Sequence, residues 1–131
     1  MTPRIEEELG LLRRRYGDVE YVERGQWVRL PKYPGGTTAN RAEMPVAFQI
    51  PPGYPGALPY GFYVPSGILL NGSRPNNYTE PAQNTPPFDG TWGFFSWSPV
   101  DGEWRPAATV TAGSNLLNWT LGFAARFREG A

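Results

Sequence analysis

Proline and glycine interrupt this chain along most of its length. The sequence contains 15 prolines and 16 glycines among 131 residues, a fraction near the level at which disorder is expected. The aromatic fraction of 15% argues for folding instead, because aromatic side chains bury large apolar areas that disordered chains lack. We therefore expect a single domain over residues 1–131, with many turns and one core.

Two residue types that carry much of protein chemistry are absent. The chain has no cysteine and no histidine, so it offers no thiol nucleophile, no zinc finger and no Ser-His-Asp triad. Its 12 basic residues balance its 12 acidic ones, which argues against nucleic-acid binding through phosphate contacts. We expect no cofactor and no metal.

The sequence carries no signal for a membrane or for secretion. It has no apolar run of about 18 residues, so no transmembrane helix is expected. The start MTPRIEEELG is acidic and lacks the apolar segment of a signal peptide. A cytoplasmic protein without membrane contacts is the expectation.

A first helix is predicted over residues 2–16. Thr2 is suited to cap it, Pro3 to occupy its first position and Gly17 to end it. Spacings of four, three and four predict one apolar stripe, formed by Ile5, Leu9, Leu12 and Tyr16.

A second helix is predicted from about Ser114 to Arg128, with Ser114 or Gly113 as its cap. Its apolar face is broad, as expected for a helix that packs on a core. The face consists of Leu116, Leu117, Thr120, Leu121, Phe123, Ala124 and Phe127.

Between the helices the pattern is that of strands. Residues 18–23, 26–30 and 44–50 predict an antiparallel meander, and residues 61–64 predict a fourth strand. Pro45 indicates an edge position or a strand start, because proline donates no hydrogen bond. Strands kept apart from helices predict an α+β domain with an antiparallel sheet of about four strands.

Two later segments have weaker patterns. Residues 65–91 read as an irregular loop, and a loop of this length in a compact domain is usually functional or disordered. Residues 92–104 are dense in aromatic side chains, and we expect them to cross the protein surface.

One proline-rich motif resembles a family. Ubiquitin-conjugating (E2) enzymes carry a YPxxPPxxxF stretch that leads into the fourth strand. The chain has proline at the first of the paired positions and tyrosine at the second, and its aromatic residue comes one position early. The segment is Tyr54-Pro55-Gly56-Ala57-Leu58-Pro59-Tyr60-Gly61-Phe62.

A second motif lies in register with the first. The family carries G-x-x-C, and eight residues after the cysteine comes Trp-Ser-Pro-Ala-x-Thr-Ile, followed by a helix. Here Gly93-Phe94-Phe95-Ser96 is followed, eight residues after Ser96, by Trp104-Arg105-Pro106-Ala107-Ala108-Thr109-Val110. This spacing places Ser96 at the position of the catalytic cysteine. The prokaryotic members of the family are the ones that the chain resembles most, in its opening LLRRRYGDVEYVE and in the block PPGYPGALPYGFYV.

The resemblance implies a ubiquitin-conjugating fold and acyl transfer. Ser96 would accept the C-terminus of a ubiquitin-like protein from an E1-like activating enzyme and pass it to a target amine. Three interpretations of Ser96 remain open. It is a native nucleophile that forms an oxyester, a serine introduced for cysteine to trap a conjugate, or the mark of an inactive member that serves as a binding module or scaffold.

Some family features are missing. The His-Pro-Asn tripeptide before the cysteine has no counterpart at Pro86-Pro87-Phe88. Arg74-Pro75-Asn76 is the nearest match, so Asn76 is the candidate for oxyanion or loop support, with Asn71 and Asn77 as rivals. All three are also typical turn residues. The two C-terminal helices of many family members have no counterpart, so a shortened C-terminus is expected.

A serine nucleophile needs a base, and without histidine the base must be a carboxylate or a partner's group. Asp89, Asp101 and Glu103 are the nearest acids in sequence. Each is also typical of a solvated loop acid.

Several residues are candidates for partner contacts. The resemblance implies that the first helix meets the activating enzyme, which makes Arg13, Arg14 and Arg15 a possible docking face or a solvated basic turn. Trp92 and Trp97 flank Ser96 and are candidates for a channel that takes a Gly-Gly-like tail, with core packing as the alternative. The segment Arg105-Pro106-Ala107 corresponds to a partner-binding loop, and Trp104 is expected to be structural.

Two rival functions come from other classes. A carbohydrate-binding β-domain fits the aromatic residues and proline-rich turns but predicts strands throughout, against the helical spacing at both ends. A hydrolase is disfavoured because the chain has no histidine for a triad.

Overall fold

A computed structural model describes residues 1–99 and 104–131 of the chain. Within them, helix α1 spans Pro3–Tyr16 and helix α2 spans Leu116–Glu129, with a short 3-10 turn at Val110–Ala112 before α2. As predicted, the Thr2 hydroxyl caps α1 by accepting the Ile5 N–H at 3.1 Å. Gly17 ends the helix with a φ of 86°, a conformation that glycine adopts without strain.

One antiparallel sheet lies between the helices in sequence. In the described residues its strands are β1 Glu20–Val22, β2 Trp27–Pro34, β3 Glu43–Gln49, β4 Phe62–Pro65, β5 Tyr78–Thr79 and β6 Trp92–Phe95. Their spatial order is β1-β2-β3-β4-β6-β5. The protein is therefore an α+β domain with an open antiparallel sheet, a helix before it and a helix after it.

The prediction of about four strands was wrong, since the structure has six in the described residues. Strand β5 lies inside the predicted loop 65–91 and is too short, at two residues, to show any periodicity. Strand β6 lies in the segment predicted to cross the surface. It is apolar on both faces, so it lacks the alternation of polar and apolar residues by which a half-exposed strand is recognised.

Two local predictions also need correction. Pro45 is in β3, which pairs with both β2 and β4, so the edge interpretation was wrong. It lies opposite a register shift between Leu30 and Tyr33 of β2, where the regular ladder is already interrupted. The cap of α2 is Asn115, whose side chain accepts the Asn118 N–H at 3.0 Å.

The two faces of the sheet are covered differently. Both helices pack on one face, where Phe62 of β4 stacks on Phe123 of α2 with ring centroids 4.1 Å apart. On the other face a smaller cluster of Trp27, Ala47, Tyr63 and Trp92 is covered partly by Ala82 and Phe88. The long segment before β6 therefore covers part of the face on which no helix packs.

Candidate functional site

Ser96 lies directly after β6 and is exposed. Its backbone N–H donates to the Asn77 carbonyl at 2.8 Å, which extends the pairing of β5 with β6 by one residue. Its Oγ is 2.5 Å from the hydroxyl oxygen of Tyr60. Regular pairing thus fixes the backbone of Ser96 and leaves its hydroxyl at the surface.

The chain before β4 is held against Ser96 by its backbone. Gly61 has a φ of +72°, and a Cβ at this position would lie 2.1 Å from Cζ of Phe94, so a side chain would displace the segment. The Gly61 N–H donates to the Trp97 carbonyl at 2.8 Å. Tyr60 is therefore fixed beside Ser96 although 61% of its surface is exposed.

A cavity of about 270 Å³ opens beside Ser96. Tyr63 and Phe94 supply its aromatic part, and Thr79, Gln83 and Asn84 supply hydroxyl and amide groups. Burial raises the pKa of Tyr63, an effect that its hydrogen bond with Asn84 partly opposes. The cavity has aromatic and neutral polar walls, which suit an uncharged polar segment such as a glycine-rich peptide.

The candidate bases are not assembled around Ser96 in the described residues. Asp89 is exposed and lines a different cavity, with Glu20 and Arg29 of the first two strands. The distance from β2 to β6 is three strand spacings, or about 14 Å. Asp101 and Glu103 lie outside the described residues. Tyr60 is the hydrogen-bond partner of the Ser96 hydroxyl in the described part of the chain.

Of the three candidate asparagines, Asn77 contacts Ser96 through its main chain. Asn77 and Asn71 have φ values of 53° and 52°, the left-handed conformation that asparagine tolerates in turns. Asn76 is exposed, and its carbonyl accepts the Arg126 guanidinium at 2.8 Å. The structure therefore shows turn-forming and main-chain roles for these residues.

Arg126 ties this loop to α2 and was not identified from the sequence. It is 5% exposed, and it also donates to the Gly130 carbonyl at 2.7 Å. Its guanidinium carbon lies 5.0 Å from the centroid of Phe95. Arg126 thus contacts Asn76 and Phe95, which are close to Ser96, from the helix-covered face of the sheet. Its signal in the sequence was a cation on the apolar side of a helix, between Phe123 and Phe127.

Trp92 and Trp97 do not line one channel. Trp92 belongs to the cluster on the face away from the helices, whereas Trp97 packs on Trp119 of α2 with centroids 5.2 Å apart. Trp97 instead borders a cavity of about 340 Å³ with Trp104 and Trp119. Core packing, the alternative considered for both residues, describes their surroundings.

The remaining partner candidates lie on the helix side of the protein. Arg13, Arg14 and Arg15 are exposed in the last turn of α1. In the other segment, the Arg105 N–H donates to Oγ of Ser114 at 2.8 Å, and the carbonyl of Ala107 accepts the Arg4 guanidinium. Half-buried Pro106 lies between them. This loop is therefore anchored to α1 and to the segment that precedes α2.

The residues of the two predicted motifs meet in space. Tyr54 packs on Trp104 with centroids 6.0 Å apart, and Nε1 of Trp104 donates to the Pro55 carbonyl at 3.2 Å. Pro59 and Phe62 are buried. Segments about 50 residues apart in the sequence thus form one structural unit, as expected for Trp104.

Two residues near these motifs were not identified from the sequence, although the structure shows them to be important. Tyr60 was treated only as a replacement for a proline, yet its hydroxyl contacts Ser96. Glu8 was not singled out in the sequence, yet it is fully buried. The signal for Glu8 was its spacing, three residues after Ile5 and four before Leu12, which puts it on the apolar stripe.

No family model, curated protein or solved structure matches the chain. Within the described residues, no group of three or more acidic side chains is arranged to hold a metal ion. The helices in that part of the chain are also too short or too polar to cross a membrane.

Proposed function

We propose that this protein is an acyl carrier of the ubiquitin-conjugating type. Ser96 accepts the C-terminal acyl group of a ubiquitin-like protein from an E1-like activating enzyme and passes it to a target amine. The observation that carries the proposal is the position of Ser96. It lies eight residues before Trp104, and its hydroxyl is exposed beside an open cavity of uncharged side chains.

The proposed reaction consists of two acyl transfers. First, Oγ of Ser96 attacks the carbonyl carbon of a thioester on the activating enzyme. A C–O bond forms, the C–S bond breaks and the serine proton passes to the leaving sulfur. Second, an amine attacks the ester carbonyl, an amide forms, and the Ser96 hydroxyl is restored as the C–O bond breaks.

Features away from Ser96 also support the proposal. A helix, an antiparallel meander and a second helix follow one another in the order the family resemblance implies. Tyr54 and Pro55 contact Trp104, so the two motifs lie together. The proposal includes a ubiquitin-conjugating-like fold and a cytoplasmic location, where activating enzymes of this class act.

The test is reconstitution with a ubiquitin-like protein and an E1-like activating enzyme from the same genome. With ATP, we expect a covalent adduct that resists thiol reductants and is cleaved by hydroxylamine or alkali. Ser96→Ala should abolish it. Ser98→Ala is the matched control, because Ser98 is also exposed, two residues away, and should leave the adduct intact. An adduct that survives Ser96→Ala, or none with the natural sequence, would contradict the proposal.

A binding module is the second candidate function. The observation that favours it is the absence of a carboxylate contacting the Ser96 hydroxyl among the described residues, whose partner there is Tyr60. In this case the sheet and loops bind a ubiquitin-like protein or its activating enzyme without chemistry. Binding would then persist in Ser96→Ala with unchanged affinity, and the natural sequence would form no ester.

A further inference from the structure

We propose that Tyr60 is the proton-transfer partner of Ser96, so that a Tyr–Ser hydroxyl pair performs the acyl transfer without histidine. This inference rests on the proposed function and extends it to a second catalytic residue. Its basis is the 2.5 Å separation of the two hydroxyl oxygens, which is at the short end of O–H···O hydrogen bonds.

Two contacts, and the absence of a side chain at Gly61, set the position of the Tyr60 hydroxyl. The Gly61 N–H donates a hydrogen bond of 2.8 Å to the carbonyl of Trp97, the residue that follows Ser96. The Tyr60 ring packs on Phe94 with centroids 6.4 Å apart, and Gly61 permits the close passage over that ring. An exposed tyrosine on a free loop would lose entropy on making such a hydrogen bond, and here the backbone contacts have already fixed it.

The two positions also depart together from the pattern that the chain resembles. Position 60 has tyrosine where the family motif has proline, and position 96 has serine where it has cysteine. The structure brings these two replacements into direct contact. The hydroxyl at position 96 thus contacts a second hydroxyl, which a thiol nucleophile would not require.

Chemistry explains why an ester would need this partner. When an amine attacks an ester, the C–O bond breaks to release an alkoxide, which is a much poorer leaving group than a thiolate. Tyr60 can donate its phenolic proton to Oγ of Ser96 as that bond breaks, and the resulting phenolate takes up the proton released by the attacking amine. Since phenols give up a proton more readily than alkyl alcohols do, Tyr60 is suited to this exchange.

Formation of the ester uses the same pair in the opposite direction. As Oγ attacks the thioester, its proton moves to the oxygen of Tyr60, which delivers its own proton to the leaving thiolate. After the first transfer residue 96 carries the ester and Tyr60 has its hydroxyl; after the second, both residues have their hydroxyl groups. Tyr60 is therefore unchanged over the cycle. No group outside the pair, the acyl donor and the amine is required.

The experiment uses a small acyl donor, so it does not depend on an unidentified protein partner. Acetyl-Gly-Gly phenyl thioester is incubated with the whole chain, and the ester on Ser96 is located by peptide mass spectrometry. The isolated acyl-protein is then mixed with free lysine, and loss of the acyl group is followed by intact mass. Four proteins are compared: the natural sequence, Tyr60→Phe, Ser96→Cys and the double variant.

If Tyr60 protonates the leaving oxygen, Tyr60→Phe should slow discharge of the serine ester by about 100-fold. The same change should leave discharge of the Ser96→Cys thioester unchanged, because a thiolate leaves without a proton.

Each other outcome would overturn a stated part of the account. Equal slowing in the serine and cysteine backgrounds would mean that Tyr60 only positions residue 96, and equal rates in the serine background would mean that it has no role. Either result leaves the proposed function standing. If Ser96→Cys is acylated and the natural sequence is not, Ser96 is no nucleophile and both proposals fail.

Discussion

Oε1 of Glu8 accepts a hydrogen bond of 2.5 Å from the backbone N–H of Leu116, the first residue of α2. The same oxygen accepts the Tyr54 hydroxyl at 2.5 Å, and Oε2 pairs with Nε of Arg4 at 2.8 Å. A carboxylate near a helix N-terminus is favoured by the helix dipole. One buried acid of α1 therefore joins the second helix and the turn that leads to Tyr60.

Removing this carboxylate should be costly. Glu8→Ala removes the anionic partner of the partly buried Arg4 guanidinium and the acceptor of the Leu116 N–H, and we expect a loss of about 3–5 kcal/mol in the free energy of unfolding. Glu7→Ala is the matched control, since Glu7 is exposed one residue away, and should change stability by less than about 0.5 kcal/mol. Urea denaturation measures both, and similar losses would contradict a specific role for Glu8.

Stability should fall at alkaline pH because buried tyrosines retain their protons. Burial raises the pKa of Tyr33 and Tyr54, and the Glu8 carboxylate raises that of Tyr54 further. The unfolded chain loses these protons near pH 10, so the stabilisation is complete below about pH 10 and is lost as the pH rises above it. Each tyrosine adds a slope of about 1.4 kcal/mol per pH unit.

The alkaline slope can be assigned to residues. Unfolding free energies from urea titrations at a series of pH values above 9 should fall less steeply in Tyr33→Phe and in Tyr54→Phe than in the natural sequence. The part of the tyrosinate absorbance that these two substitutions remove should appear together with unfolding. A slope that neither substitution changes would show that these two phenols ionise in the folded protein.

Gly61 should be intolerant of a side chain for two separable reasons. Its φ of +72° strains any other residue, and a Cβ would meet Phe94 and the Phe95 carbonyl at 2.1 Å and 2.7 Å. Gly72 has a similar φ of +79° with no atom within 4 Å, so Gly72→Ala measures the strain alone, about 1–3 kcal/mol. Gly61→Ala should lose more by a further 1–3 kcal/mol, roughly the cost of overpacking. Equal losses in thermal or urea unfolding would contradict the close approach to β6.

Arg126 should stabilise the loop that carries Asn76. Arg126→Met removes two hydrogen bonds to carbonyls and keeps much of the apolar contact, so we expect a loss of about 2–4 kcal/mol. Arg128→Met is the control, because Arg128 is exposed on the same turn. Hydrogen exchange should show faster opening at residues 76–79 in Arg126→Met alone. Unchanged exchange there would contradict the tie between α2 and the loop.

The helices were predictable because their signals are local. Thr2 and Gly17 bound α1 as the sequence indicates. The apolar spacing of α2 identified the buried residues Leu116, Phe123 and Phe127, but Leu121, which was predicted on the same face, is exposed. The meander of β1 to β3 followed from alternating patterns. In these elements the apolar residues recur at spacings of three or four in a helix and of two in a strand, and a single sequence shows such spacings.

The rest depended on contacts between distant residues. Strand β6 exists because Phe95 and Trp92 pair with Phe62 and Pro65 of β4, and its own pattern does not reveal this. The contact of Tyr60 with Ser96 spans 36 residues and depends on Gly61 lying against Phe94. Asn115 caps α2, whereas the Ser114 hydroxyl accepts the Arg105 N–H instead. Sequence spacing does not show this contact.

The most direct measurement of the central claim is the chemical identity of the bond at residue 96. In the reconstituted pathway, the natural sequence should form an adduct that resists dithiothreitol and yields to hydroxylamine. Ser96→Cys should form an adduct at the same residue that dithiothreitol cleaves. If both proteins gave adducts of the same sensitivity, or if neither carried its adduct at position 96, the carrier role proposed for Ser96 would be wrong.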